Sequence, residues 1–330
     1  MDSLINHPGI IIGFALTVAF MLLLDLGVFN KNSHVISSKE AAIWSVFWIG
    51  LSMLFSIFIY IATDEGSQME KFSQFQSAYW IEKALSVDNL FVFILVFGFF
   101  NVPREYHHKV LFWGIVGALV MRAIFIFAGV GIIGMTYLPP MDLLGQSVKI
   151  NVVLTLFGAF LVYAGYKSWF ASKEQEGEKD YTQSPGARLI YRFFKVTPDY
   201  HGDKFFVVKN GVRMATPLLV VLAVIEFTDL LFAVDSIPAI FAIAPDDPFI
   251  LYTSNIFAIL GLRSLYFLLA NFIHMFSKLK FGLAIILAFI GMKMIISPFY
   301  HFSSTTSLSI VGGILILSML VSVIWPEKKK

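Results

Sequence analysis

The sequence predicts an all-α polytopic membrane protein of about nine transmembrane helices, built around two inverted three-helix repeats. Three observations predict it. The 330 residues are 58% hydrophobic and 14% charged, where a soluble domain carries about 25% charged residues. Apolar runs long enough to cross about 30 Å of hydrocarbon recur along the whole chain. Two of these runs carry the same acidic pattern.

Nine spans fall at about 9–29, 41–62, 78–100, 109–133, 150–171, 213–243, 250–272, 280–297 and 307–325. The first has no preceding Lys or Arg, carries Asp25 and lacks a small-residue cleavage site, so it reads as a span and not as a removed signal peptide. The sixth is too long for one straight helix and contains Pro238. Proline removes an N–H and clashes with the preceding turn, so a kink or break is expected there. The units are then 1–77 (two N-terminal helices), 78–171 (first repeat), 172–212 (linker), 213–297 (second repeat) and 298–330 (last helix and basic tail).

The connections alternate in charge. Segments 30–40, 101–109, 172–212, 273–280 and 326–330 hold sixteen Lys and Arg, whereas the intervening ones hold two. Positive segments stay in the cytoplasm, which puts the N-terminus outside and Lys328-Lys329-Lys330 inside. This is the layout of a multi-pass membrane protein with an outer N-terminus and an inner C-terminus. The outer connections carry Asp64, Glu65, Glu70, Asp142, Asp246 and Asp247, read as solvated acids that could also draw cations. The linker opens with the polar run 172–180, of flexible composition. It continues with Arg188-Leu189-Ile190-Tyr191-Arg192-Phe193-Phe194-Lys195, a basic amphipathic stretch suited to the inner leaflet.

The acidic pattern is Glu82-Lys83-Ala84-Leu85-Ser86-Val87-Asp88-Asn89 in one span and Asp229-Leu230-Leu231-Phe232-Ala233-Val234-Asp235-Ser236 in another. Aligning Val87-Asp88-Asn89 on Val234-Asp235-Ser236 puts Glu82 on Asp229. Glu226 adds an acid one turn earlier. Ionised groups within a bilayer are costly and rare without a function. The next spans carry Arg122 and Arg263, and the spans after those carry Gly165-Tyr166-Lys167 and Gly291-Met292-Lys293. Acids, then Arg, then Gly-x-Lys thus recur over three consecutive spans. Three is odd, so the two units cross in opposite senses, an arrangement in which transporters place their site at the repeat interface.

On a helix Glu82, Ser86 and Asn89 share one face, as do Asp229 and Ser236. Asp88 and Asp235 lie about a third of a turn away and reach the same cavity if the helices unwind locally. Asp25 is a further candidate ligand, nearer the cytoplasmic end of its span. These are carboxylate, amide and hydroxyl oxygens. The chain has no cysteine, and His107, His108, His201, His274 and His301 fall at span edges or in loops. An oxygen set suits Mg²⁺, Ca²⁺ or Mn²⁺ as cargo. The bland alternative is that these acids form structural ion pairs with Lys83, Arg122, Lys167, Arg263 and Lys293. The same bases could instead act as counterions that hold the site when the cation leaves. Walker A, HExxH and thiol or serine nucleophile patterns are absent from the sequence, so transport is expected and enzyme chemistry is not. No permanently bound cofactor and no nucleic-acid partner is expected. The partners are the cation and the lipid bilayer, and the sequence leaves the oligomeric state open.

Glu82-Lys83-Ala84-Leu85-Ser86-Val87-Asp88-Asn89, Phe232-Ala233-Val234-Asp235-Ser236-Ile237-Pro238-Ala239-Ile240-Phe241-Ala242 and Ser254-Asn255-Ile256-Phe257-Ala258-Ile259-Leu260-Gly261-Leu262-Arg263 resemble the TerC family of integral membrane proteins, over about residues 10–325. That family is named for tellurium resistance and grouped with the LysE-like transporters. Some members are described as membrane-bound redox modulators, and some are linked to manganese export. The resemblance implies functional roles for Glu82, Asp88, Asn89, Glu226, Asp229, Asp235 and Ser236. It makes Mn²⁺, exported with possible H⁺ exchange, the favoured reading. The alternative it leaves open is a non-transporting membrane scaffold or modulator in redox or tellurite stress.

Overall fold

A computed structural model describes residues 37–143, 146–170, 180–209, 211–245, 247–272, 279–300 and 302–324, together with 12, 14, 16–18 and 20–21. The first span and Asp25 therefore lie largely outside the described residues, although the described positions between 12 and 21 are helical.

The chain is an all-α membrane protein. Its helices are α1 (Ser38–Ala62), α2 (Gln68–Phe99), α3 (Arg104–Met135), α4 (Val152–Phe170), α5 (Pro185–Phe193), α6 (Pro217–Phe241), α7 (Pro248–Leu260), α8 (Leu262–Phe272), α9 (Leu279–Ile296) and α10 (Ser304–Ile324). Two short antiparallel hairpins interrupt them, β1 (Met141–Leu143) with β2 (Gln146–Val148), and β3 (Phe206–Lys209) with β4 (Val212–Ala215). Among the described residues, α1, α3, α4, α6 and α10 are long and apolar enough to cross a membrane. The pair α7–α8, bent by 41°, makes a sixth candidate.

Packing inverts the soluble pattern. The buried face of α1 is Ala41, Ser45, Trp48, Ser52, Ser56 and Ile59, while Ile43, Val46, Leu54 and Ile61 point outward. Lipid tails solvate the outward residues, so small and hydroxyl side chains take the interhelical positions. Ser45 and Ser56 donate to carbonyls of their own helix, and Gln76 of α2 donates to Ser56 Oγ at 2.8 Å.

α2 is the hub. It packs against α1, α6, α7, α8 and α10. It starts ten residues before the apolar run at 78, because Ser73, Gln74, Gln76 and Ser77 are buried against neighbouring helices and not in solvent. Hydropathy reads such residues as a loop. Asn101, at φ 49°, turns the chain from α2 into α3, with Val102 N–H donating to Phe97 O at 3.0 Å. Asparagine tolerates this left-handed geometry.

Two expectations need correction. α6 is assigned as one helix through Pro238 and ends three residues later. The proline sits in the last turn, where only the final hydrogen bonds are at stake, and the 213–216 stretch is strand β4 and a cap, not membrane helix. The break falls instead in the next span, at Gly261 between α7 and α8. There a Cβ would lie 2.7 Å from Lys83 Nζ and 3.1 Å from Trp48 Cβ, so a larger residue would require both neighbours to shift. Asp247, read as a solvated outer acid, is buried. It caps α7 by accepting from Ile250 N–H at 3.1 Å, ahead of Pro248 in the first turn, and pairs with Lys71 Nζ at 2.5 Å.

The 180–215 region is more ordered than a flexible linker. Ser184 caps α5, which packs on α6 with Gly186 against Ala223. Tyr200 O–H donates to Phe100 O at 2.9 Å, and burial pushes this phenol up to about 12, keeping it a donor at neutral pH.

α4 and α9 form the closest helix pair, antiparallel and without side-chain padding. A Cβ on Gly165 would meet Ala284 O at 2.6 Å and Ala288 N at 3.0 Å; one on Gly291 would meet Gly158 O at 2.5 Å and Val162 N at 2.8 Å. The obstructing atoms are backbone, so neither helix can yield locally. Gly291→Val is expected to cost about 1–3 kcal/mol through overpacking, read as a lower melting temperature of the detergent-solubilised protein. Gly312→Val, at a site with open space, is the control and should change little. Equal melting temperatures for the two would refute the packing account.

Candidate functional site

The acidic face of α2 and the acidic face of α6 meet across α3. Glu82 is 0% exposed and Asp229 7%, and Arg122 of α3, at 1%, lies between them. Arg122 Nη1 pairs with Glu82 Oε1, and Arg122 Nη2 reaches Asp229 Oδ1 at 3.5 Å. Ser86 donates to Glu82 Oε1 at 3.4 Å from one turn on. The helical spacing explains this. Glu82 and Ser86 lie on one face, and α6 packs against both α2 and α3, so one guanidinium on α3 reaches both acids. One cation and two carboxylates leave a formal charge of −1 in an enclosed space. Glu82 Oε2 and Arg122 Nε are enclosed without hydrogen-bond partners among the described residues. Buried polar atoms are nearly always satisfied, so such exceptions mark places where a ligand or water completes the bonding.

The other expected residues are placed around this triad. Asn89 and Ser236 are buried, Ser236 Oγ without a partner. Glu226 is half-buried on α6, and its carboxylate lies against Gly117 of α3, where any Cβ would collide with it. A narrow cavity between α2, α3, α6 and α8 is lined by Leu90, Gly114, Ala118, Asp229 and Arg263, among others, and its charged lining residues are Asp229 and Arg263. The side chains of Asp88 and Asp235 lie outside the described residues, as does Asp25. Among the described residues no three His, Asp or Glu side chains form a metal-holding group.

The basic residues divide. Arg122 pairs with both acids. Lys83 is buried and donates to Ala258 O at 3.3 Å, with no carboxylate partner among the described residues. Arg263 is buried beside the cavity. Lys293 is buried near the end of α9, and Lys167 is exposed near the end of α4. Asn255 on α7 was not singled out by its chemistry in the sequence. It is 1% exposed and both of its amide atoms lack partners among the described residues. Its position inside the motif 254–263 was the available signal.

Residues 67–330 match the integral membrane protein TerC family. The chain belongs to the TerC family. Three relatives share 42% identity with it. A protein of Escherichia coli strain K12 and one of Salmonella typhi, each named as a membrane-bound redox modulator, Alx, align over 94% of this chain and 92% of their own. An uncharacterised membrane protein of Myxococcus xanthus aligns over 97% of this chain and 93% of its own. No solved structure matches. Within this TerC chain Glu82 and Asp229 converge on Arg122.

Proposed function

We propose that this TerC protein is a secondary transporter of the bacterial inner membrane that exports a divalent cation, with Mn²⁺ the favoured cargo. In this reading nine spans cross the bilayer with the N-terminus periplasmic and the C-terminus cytoplasmic. Residues 78–171 and 213–297 are inverted repeats, and α2 and α6 face each other across their pseudo-two-fold axis. The observation that carries the reading is the convergence of Glu82 and Asp229 on one guanidinium. These two residues occupy the same place in the repeated motif and come from different helices. The contacts between α4 and α9 support the repeat. Ala284 stands as far after Gly158 as Gly291 does after Gly165, and Ala288 likewise after Val162, so the two glycines meet equivalent backbone atoms.

The chemistry follows from the donors. Carboxylates joined by Asn89 and Ser236 give an all-oxygen set for a hard dication. Asp88 and Asp235 would add two more carboxylates. Arg122 offsets part of the charge of Glu82 and Asp229 when no cation is bound, which lowers the repulsion between the two acids in the empty site. Arriving cargo takes over that role, and protonation from the outer side releases it, which makes H⁺ the proposed exchanged ion.

The name of the Alx relatives favours a second reading, a membrane-bound modulator of redox stress. This chain has no cysteine, so thiol chemistry would have to reside in a partner. Cellular manganese separates the two. Cells lacking the protein, challenged with manganese, should retain more of the metal than cells supplied with the native chain. Asp88→Asn and Asp235→Asn should behave as the deletion while remaining in the membrane. Equal manganese content with and without the native protein would sink the transport reading.

A further inference from the structure

The 180–215 region presents a surface that transport does not use. A groove runs between the turn at 200–204 and the β3–β4 hairpin, lined by Tyr200, His201, Lys204, Lys209 and Arg213. Arg213 is held over the Phe206 ring, 4.2 Å from its centroid, so its guanidinium is pre-oriented. His201 Nε2 is enclosed in this region without a hydrogen-bond partner. Val208, 71% exposed, stands beside the bases. On the neighbouring α5, Leu189, Phe193, Arg188 and Arg192 are all exposed.

The position of this surface identifies what it meets. α5 is fixed to α6 where Gly186 lies against Ala223, too close for any side chain at Gly186. Ala223 is six residues after Pro217, about 9 Å along the helix. α6 has 25 residues, about 37 Å, and hydrocarbon spans about 30 Å. The contact therefore falls a few Å inside the hydrocarbon edge, whichever way the protein is oriented, and α5 lies at the boundary between acyl chains and head groups. Tyr200 bonded to Phe100 O, and Lys109 paired with Asp203 at 2.8 Å, tie the rest of the region to the same end of α2 and α3. Exposed aromatic and aliphatic side chains interleaved with arginine and lysine, at that depth, match an anionic lipid surface in both polarity and charge.

We propose that the hairpin groove and the outer face of α5 dock on anionic phospholipid, with a lipid phosphate held by Lys204, Lys209 and Arg213. The dock bears on transport through α5, because Ala223 lies two turns or less before Glu226 and Asp229 on the same rigid helix.

The test uses the full-length protein in nanodiscs. The chain has no cysteine, so Val208→Cys gives a single labelling site for a fluorophore, read by quenching from a spin-labelled lipid. Quenching should be strong in phosphatidylcholine discs containing phosphatidylglycerol and weak in phosphatidylcholine alone. It should fall as salt rises. The combined change Lys204→Gln, Lys209→Gln and Arg213→Gln should lower the docked population by about fivefold per charge removed. Lys204→Arg, Lys209→Arg and Arg213→Lys, which keep the charge, should restore it and exclude misfolding as the cause. Amide exchange over 217–229 should slow in the anionic discs. Equal quenching in both discs would overturn the proposal. So would its loss to inorganic phosphate at matched ionic strength, which would make the groove a site for free phosphate. Lipid-dependent quenching with unchanged exchange would refute the link to α6.

Discussion

Glu82→Gln and Asp229→Asn are each expected to abolish manganese efflux while leaving the protein in the membrane at near-native abundance. Each amide keeps the shape and one oxygen of the carboxylate and removes its charge. A dication bound by several carboxylates in a low-dielectric setting loses much of its attraction when one is neutralised. The fold tolerates the change because Arg122 retains the other acid. The double change Glu82→Gln with Asp229→Asn removes both, and abundance should then fall by more than the two single effects combined. Abundance and efflux are to be measured on the same membranes. Normal efflux in either single variant would remove that residue from the cation path, and loss of abundance in both singles would favour purely structural ion pairs.

Arg122→Gln is expected to have the larger effect on the fold. It leaves two carboxylates facing each other, both almost fully enclosed. Breaking a buried ion pair by removing one partner costs about 3–5 kcal/mol, which corresponds to a shift of about a hundredfold to several thousandfold in the folding equilibrium. The protein should disappear from the membrane fraction. Arg122→Lys keeps the charge and loses the fork that spans two acids, so it should recover part of the abundance. A further change of Glu82→Gln in the Arg122→Gln background should also restore abundance by removing the repulsion. Stable, abundant Arg122→Gln protein would show that the guanidinium is not what holds the two acids.

The alignment of Glu82 with Asp229 was legible in the sequence as a motif written twice, and their pairing with Arg122 is the contact that the ion-pair alternative offered. The helices were legible wherever lipid surrounds them, since α1, α3, α4 and α10 are apolar on their outer faces. Hydropathy failed where polar side chains pack between helices. Ser73, Gln74, Gln76 and Ser77 made the start of α2 look like a loop, although the bundle supplies the surroundings that water supplies elsewhere. It also failed where the deciding contact is remote in sequence. Gly261, where the span bends, lies against Lys83 and Trp48, and the buried Asp247 pairs with Lys71. Proline at 238 is conspicuous in the sequence, but its position in the last turn of α6 removes most of its consequence.

Under the proposed inverted repeat, the seam between α4 and α9 is an isologous contact folded into a single polypeptide. In an isologous interface residue i of one body meets j of the other, and j meets i in return. Gly165 and Gly291 satisfy that relation through the backbone atoms they approach. The surface of either helix, read through the repeat, is therefore complementary to itself. That is the property a symmetric dimer of half-length chains would need, and the long connection between α4 and α6 is what turns such a pair into one molecule.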